Sequence, residues 1–118
     1  MNDDITPFTK DILRIMKNIP EGRVLTYGLI ARWAGAPRAA RQVSRALHSM
    51  SEKYELPWHR VINSAGKISL PSIEGKVHQK ELLEQEGVTV SDSYEVDLNK
   101  SLWDLDSLDF EDMEDPLF

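Results

Sequence analysis

The chain has 118 residues, a formal net charge of −6 and no cysteine. That length suits one domain with its own core, and the missing thiols exclude a disulfide framework, thiolate zinc sites and any cysteine-based chemistry. Met1-Asn2-Asp3-Asp4 holds no basic segment followed by an apolar run, and no stretch approaches the roughly 20 apolar residues that cross a bilayer, so a cytoplasmic protein without membrane association is expected.

Thr6-Pro7 opens a first helix, with Thr as cap and Pro at its favoured first position. Phe8, Ile12, Ile15, Met16 and Ile19 then recur at helical spacing, until Pro20 and Gly22 end the pattern. Val24-Leu25 reads as a short extended piece. Thr26 caps a second helix over Tyr27 to Ala34, which Gly35 stops, with Ile30, Trp33 and Ala34 facing inward. After Ala36-Pro37 a third helix is expected from Arg38 to Ser49, its inner face made by Ala39, Val43, Ala46 and Leu47.

The second and third helices form a helix-turn-helix pattern. Arg38, Arg41 and Arg45 fall at i, i+3 and i+7 on the outer face of the third helix, which carries no acid. A solvated face usually mixes signs, so this stripe points to nucleic acid. Residues 1–60 hold 10 Lys+Arg against 6 Asp+Glu, so the negative total comes from elsewhere in the chain.

Val61-Ile62-Asn63 and Lys67-Ile68-Ser69 flank Ser64-Ala65-Gly66 and read as a β-hairpin, a wing beside the helix-turn-helix. A fourth helix is expected from Val77 to Glu86, ending at Gly87, and Tyr94 to Leu98 alternates like a late edge strand. The fold class is therefore mainly α with a small β-hairpin, a winged helix over residues 1–90. Residues 91–118 hold 1 base against 10 acids, interleaved with Trp103, Leu105, Leu108, Phe110 and Phe118. This acidic tail has the composition of a disordered partner-binding segment. The three histidines lie on different elements, so no metal site is expected.

Four motifs in order carry a family resemblance over roughly residues 5–90. Gly22-Arg23-Val24-Leu25-Thr26-Tyr27-Gly28 is followed by Ala34-Gly35-Ala36-Pro37-Arg38-Ala39-Ala40-Arg41, then by Pro57-Trp58-His59-Arg60-Val61, and by Gly75-Lys76 with a helix ending Glu86-Gly87. Together they resemble the DNA-binding domain of the O6-alkylguanine-DNA alkyltransferases. In that family the third motif is Pro-Cys-His-Arg, and its cysteine takes the alkyl group from damaged guanine. Here tryptophan stands in that place, and indole has no thiolate-like form near neutral pH. The sequence resembles the non-catalytic branch, the alkyltransferase-like proteins, which bind the lesion without removing it.

The resemblance implies roles residue by residue. Arg41 corresponds to a finger that fills the gap left by an extruded nucleotide, and Tyr27 to the tyrosine that rotates that nucleotide by crowding its phosphate. Thr26 combines its cap with a phosphate contact, Arg38 and Arg45 contact DNA, and Asn63 and Ser64 sit in the turn beside the pocket. Trp58 and Val61 line the lesion pocket. His59 and Glu86 match the pair that activates the absent cysteine and become a structural pair, while Arg60 orients local backbone or phosphate. Met50 stands where the enzymes carry an asparagine, and Leu70-Pro71-Ser72-Ile73-Glu74 lacks their Gly/Tyr-rich lid.

The implied function is binding of O6-alkylguanine in duplex DNA by nucleotide flipping. It calls for no catalytic residue and no cofactor. A monomer that hands the lesion to nucleotide excision repair proteins is expected. Two other readings of the residues stay open: a helix-turn-helix transcription regulator, and an interaction module whose acidic tail is the working part.

Overall fold

The computed structural model describes residues 6–104. Helix α1 runs over Pro7–Lys17, with the Thr6 side chain accepting from the Thr9 amide and Pro7 in the first turn. Ile12, Leu13, Ile15 and Met16 are buried on its inner face, and Arg14 and Lys17 occupy the last turn, where the helix dipole favours cations.

Strand β1, Leu25–Thr26, leads directly into α2, Tyr27–Trp33. Thr26 caps α2 by accepting from the Leu29 amide. Gly35 takes the turn at φ +91, a left-handed conformation that glycine adopts without penalty. Helix α3 then spans Ala40–Met50. It starts two residues later than the sequence predicts, because the Ala39 amide closes a turn onto the Ala36 carbonyl before the helix begins. Helices α1, α2 and α3 enclose the larger core around Ile12, Ile15, Leu25, Ile30 and Val43.

A single 3₁₀ turn, Trp58–Arg60, precedes β2, Val61–Ile62. β2 lies parallel to β1, with Leu25 opposite Val61 and Thr26 opposite Ile62. The expected β-hairpin reduces to its turn. The Asn63 side-chain oxygen accepts from the amides of Ala65 and Lys67, and the Asn63 amide donates to the Lys67 carbonyl. Beyond Gly66 the return arm pairs with a later segment instead: Lys67 bridges Glu95, and the Ile68 amide donates to the Tyr94 carbonyl. The close approach at Gly66 permits this, since a Cβ there would sit 3.1 Å from the Val96 carbonyl oxygen.

Helix α4 covers Ile73–Gln85, beginning four residues before the predicted start because Ser72 caps it through the Gly75 amide. Gly87, at φ +89, follows its end. The Tyr94–Leu98 region contributes isolated antiparallel bridges (Lys67 with Glu95, Val90 with Val96) and then α5, Leu98–Ser101.

Val24 donates to the Ser101 carbonyl and accepts from the Trp103 amide, so the chain through Asp104 is fastened to the globule. Val96 is buried with Val24, Ile62, Ile68 and Leu83 in a second core. Residues 91–104 of the expected acidic tail thus pack onto the globule, and the rest of it, 105–118, lies outside the described residues. Among the described residues no helix is long and apolar enough to cross a membrane, and no cluster of three or more His, Asp or Glu is arranged to hold a metal ion.

Candidate nucleic-acid interface

The β1–β2 pairing sets the start of α2 beside the Pro57–Val61 segment, and the space between them is closed by α3 and the loop before α4. The result is a cleft of about 430 Å³ whose walls include Tyr27, Ser44, His48, Trp58, Val61 and Pro71. Trp58 is half-buried, with the His59 ring edge-on at 6.0 Å and the His78 ring tilted by 40° at 5.7 Å. Burial pushes the Tyr27 phenol above its ordinary pKa, against a smaller opposing effect from its hydrogen bond to Ser44. It therefore stays neutral at physiological pH. Flat aromatic walls with a few hydroxyls suit a planar heterocycle.

Behind the cleft the 3₁₀ turn is fixed by a charged network. The Glu86 carboxylate accepts from Arg60 Nε and Nη2, from the Gly22 amide at 3.0 Å, and lies 2.7 Å from His59 Nε2. Arg60 Nη1 also donates to the Ile19 carbonyl at 2.8 Å. Burial alone would raise the Glu86 carboxyl, but the hydrogen bonds from Arg60, Gly22 and His59 outweigh it and lower the pKa to about 2. Gln79, only 3% exposed, donates to the carbonyls of His59 and Val61. With both ends of this segment held, Trp58 projects from a rigid support.

Arg38, Arg41 and Arg45 are exposed and line one shallow depression on the outer side of the helix-turn-helix. Arg41 and Arg45 stand on α3, whereas Arg38 lies in the preceding turn, so the expected three-residue helical stripe is a two-residue stripe plus a turn. Ser64 lies against the first turn of α2: a Cβ on Gly28 would come within 3.1 Å of its hydroxyl. Thr26 is 4% exposed and forms the expected cap on α2.

Of the pocket residues expected from the sequence, Tyr27, Trp58 and Val61 meet around the cleft. His59 and Arg60 turn to Glu86, Asn63 is engaged in its turn, and Arg41 lies in the neighbouring arginine depression. Sequence reasoning missed Ser44, His48, His78 and Gln79. Two signals were available: Ser44 sits three residues after Arg41 on α3, and Gln79 lies four residues before the buried Leu83 on α4, hence on its inner face.

Residues 7–88 match the family described as the 6-O-methylguanine DNA methyltransferase, DNA binding domain. A DNA base-flipping protein of Escherichia coli (strain K12) is 46% identical over 98 residues, covering 81% of this chain and 74% of that protein. Alkyltransferase-like protein 1 of Schizosaccharomyces pombe is 44% identical over 90 residues, covering 72% and 83% respectively. The crystal structure of S. pombe Atl1 in complex with damaged DNA containing O6-carboxymethylguanine superposes with a TM-score of 0.75 at 39% identity, over 88% of this chain and 99% of that one. With tryptophan in the nucleophile's place and relatives of these kinds, the chain belongs to the alkyltransferase-like branch of the 6-O-methylguanine DNA methyltransferase family.

Proposed function

We propose that this protein binds O6-alkylguanine in duplex DNA, extrudes the damaged nucleotide into the Tyr27–Trp58 cleft and holds it with its alkyl group intact. The observation that carries the reading is the Trp58 indole, which forms a wall of the cleft at the motif position where the enzymes place their cysteine. An indole face stacks on a purine and accepts an alkyl substituent, yet offers no nucleophile. The relatives named for base flipping and for a complex with damaged DNA support the same reading.

In this reading Arg41 enters the duplex and occupies the vacated stack, Tyr27 crowds the phosphate of the extruded nucleotide, and Arg38, Arg45 and Ser64 hold neighbouring phosphates. Lesion preference then comes from the cleft and from the low cost of extruding a poorly paired base. Bound without repair, the lesion is shielded from true methyltransferases and passed to nucleotide excision repair proteins. The protein acts in the cytoplasm as a monomer and needs no cofactor.

The test compares one duplex carrying guanine or O6-methylguanine at its centre. Tighter binding to the alkylated duplex, at several salt concentrations, is expected. Binding that follows base sequence and ignores alkylation would instead make the protein a helix-turn-helix regulator.

A further inference from the structure

The segment that joins the end of α3 to Trp58 is only seven residues long, Ser51 to Pro57, and it turns sharply. The Leu56 amide donates back to the Ser51 carbonyl at 2.9 Å, and the Tyr54 amide to the Met50 carbonyl at 3.1 Å. To make this turn Glu55 takes φ +52, in the left-handed region that a residue with a Cβ occupies only when its surroundings hold it there. Glycine is absent from the segment.

Lys17, the last residue of α1, supplies a hold. Its Nζ donates to the Tyr54 carbonyl at 3.1 Å and to the Glu55 carbonyl at 3.3 Å, the two peptide oxygens on either side of the strained residue. Directly beyond, Leu56 is buried in the main core, and the Trp58 amide donates to the Leu56 carbonyl at 2.8 Å. Lys17 and Trp58 also border the same surface depression, which Tyr27 does not line.

We infer that Lys17 is a positioning residue for Trp58: by binding the carbonyls of Tyr54 and Glu55 it fixes the left-handed turn that sets the direction from which the indole enters the cleft. Its functional consequence rests on the reading that Trp58 receives the extruded base. A lysine ammonium with two carbonyl acceptors is a charge-assisted contact, stronger than a neutral hydrogen bond. The turn it holds spans the end of the helix bearing Arg41 and the start of the cleft wall, so the arginines and the indole keep a fixed spacing.

The test uses Lys17→Met, Lys17→Arg, Glu55→Gly and the double variant Lys17→Met/Glu55→Gly in the full chain. Three quantities are read: the Trp58 indole N–H resonance in the free protein, the ratio of affinities for O6-methylguanine and guanine duplexes, and the thermal midpoint. Lys17→Met is expected to shift the Trp58 resonance, leave that of Trp103 in place, and cut the affinity ratio by about tenfold, the scale of one charged hydrogen bond. Lys17→Arg should restore both readouts. Glu55→Gly should restore them in the Lys17→Met background, because glycine holds the left-handed turn unaided.

A lowered thermal midpoint with the Trp58 resonance and the ratio unchanged would reduce Lys17 to a stability role and overturn the inference. So would a Trp58 shift that neither second change restores. If Lys17→Met does not fold, recovery of folding by Glu55→Gly supports the clamp and failure to recover sinks it. A wild-type protein without lesion preference would defeat the functional reading alone, and the resonance would still decide the clamp.

Discussion

The imidazole Nε2 of His59 lies 2.7 Å from the Glu86 carboxylate, one residue along the chain from Trp58. A hydrogen-bonded imidazole–carboxylate pair is the arrangement that draws a proton from a neighbouring thiol, and here it stands beside an indole. Replacing the indole tests whether the pair is still poised. Wild-type protein incubated with DNA carrying a labelled O6-methyl group is expected to leave all label on the DNA. Trp58→Cys is expected to take up label in a single slow turnover. A variant that folds, binds the lesion and stays unlabelled would mean that the pair is not arranged to activate a thiol at that position.

Glu86 also governs acid stability. Its folded-state pKa of about 2 lies below the ordinary 4.5, so the carboxylate stabilises the fold above the unfolded value. That contribution, at most about 3 kcal/mol at neutral pH and less once solvent screens the partly exposed carboxylate, is lost as pH falls from about 4.5 through about 2. Glu86→Gln removes the charge and leaves the Arg60 guanidinium, 17% exposed, without its carboxylate. It should lower stability at pH 7 by roughly 1–3 kcal/mol, with the deficit shrinking below pH 4.5. Urea denaturation across that range checks this, and parallel curves for the two proteins would contradict it.

Trp58 is half-buried: it packs against the edge of the main core, lines the cleft, and meets the rings of His59 and His78. Trp58→Ala is therefore expected to fold and to weaken binding of O6-methylguanine duplexes by about 1–3 kcal/mol, with a smaller effect on undamaged DNA. Circular dichroism and paired binding isotherms separate the two outcomes. A variant that unfolds would place the indole among the core residues.

The three arginines should not behave alike. On the proposed function Arg41 fills the vacated stack, so Arg41→Ala should lower lesion preference. On the same proposal Arg38→Ala and Arg45→Ala would each remove a phosphate contact, so all duplexes should weaken together and the salt slope should drop by about one per contact. Titrations at several salt concentrations give both quantities. Equal loss of preference from all three would deny Arg41 its separate role.

Most of the helical frame was legible in the sequence because its signals are local. Thr6 and Thr26 cap the helices that follow them, and the apolar spacing of Ile12, Ile15 and Met16 matches the buried face of α1. The early start of α4 was missed because Ser72 follows Leu70-Pro71 in what reads as loop, although Ser72 caps through the Gly75 amide. The parallel pairing of Leu25 with Val61 and the capture of Lys67 by Glu95 join residues 36 and 28 apart, which periodicity cannot see. The site was divided in the same way. Tyr27, Trp58 and the arginines followed from motif and charge, but Gln79 and His78 reach the Trp58 segment only because α4 packs across it.

The acidic tail gives the last prediction. Residues 105–118 carry six acids and no base, and the globule that precedes them presents Arg38, Arg41 and Arg45 on one exposed face. Tethered charge of that sign competes with phosphate for the same arginines. Each pair contributes little, and the Debye length of about 8 Å at physiological salt limits its range. The tether, however, raises the tail's effective concentration to about the millimolar range. Weakly held undamaged DNA should suffer most from this competition, while lesion DNA, fastened also through the cleft, displaces the tail more readily. Deleting residues 105–118, which leaves the hydrogen bonds of Ser101 and Trp103 to Val24 in place, should therefore strengthen binding to undamaged duplex more than to an O6-methylguanine duplex. The difference should shrink as salt rises. If both affinities are unchanged at low salt, the tail does not cover the arginine face, and its acids and aromatics serve a protein partner alone.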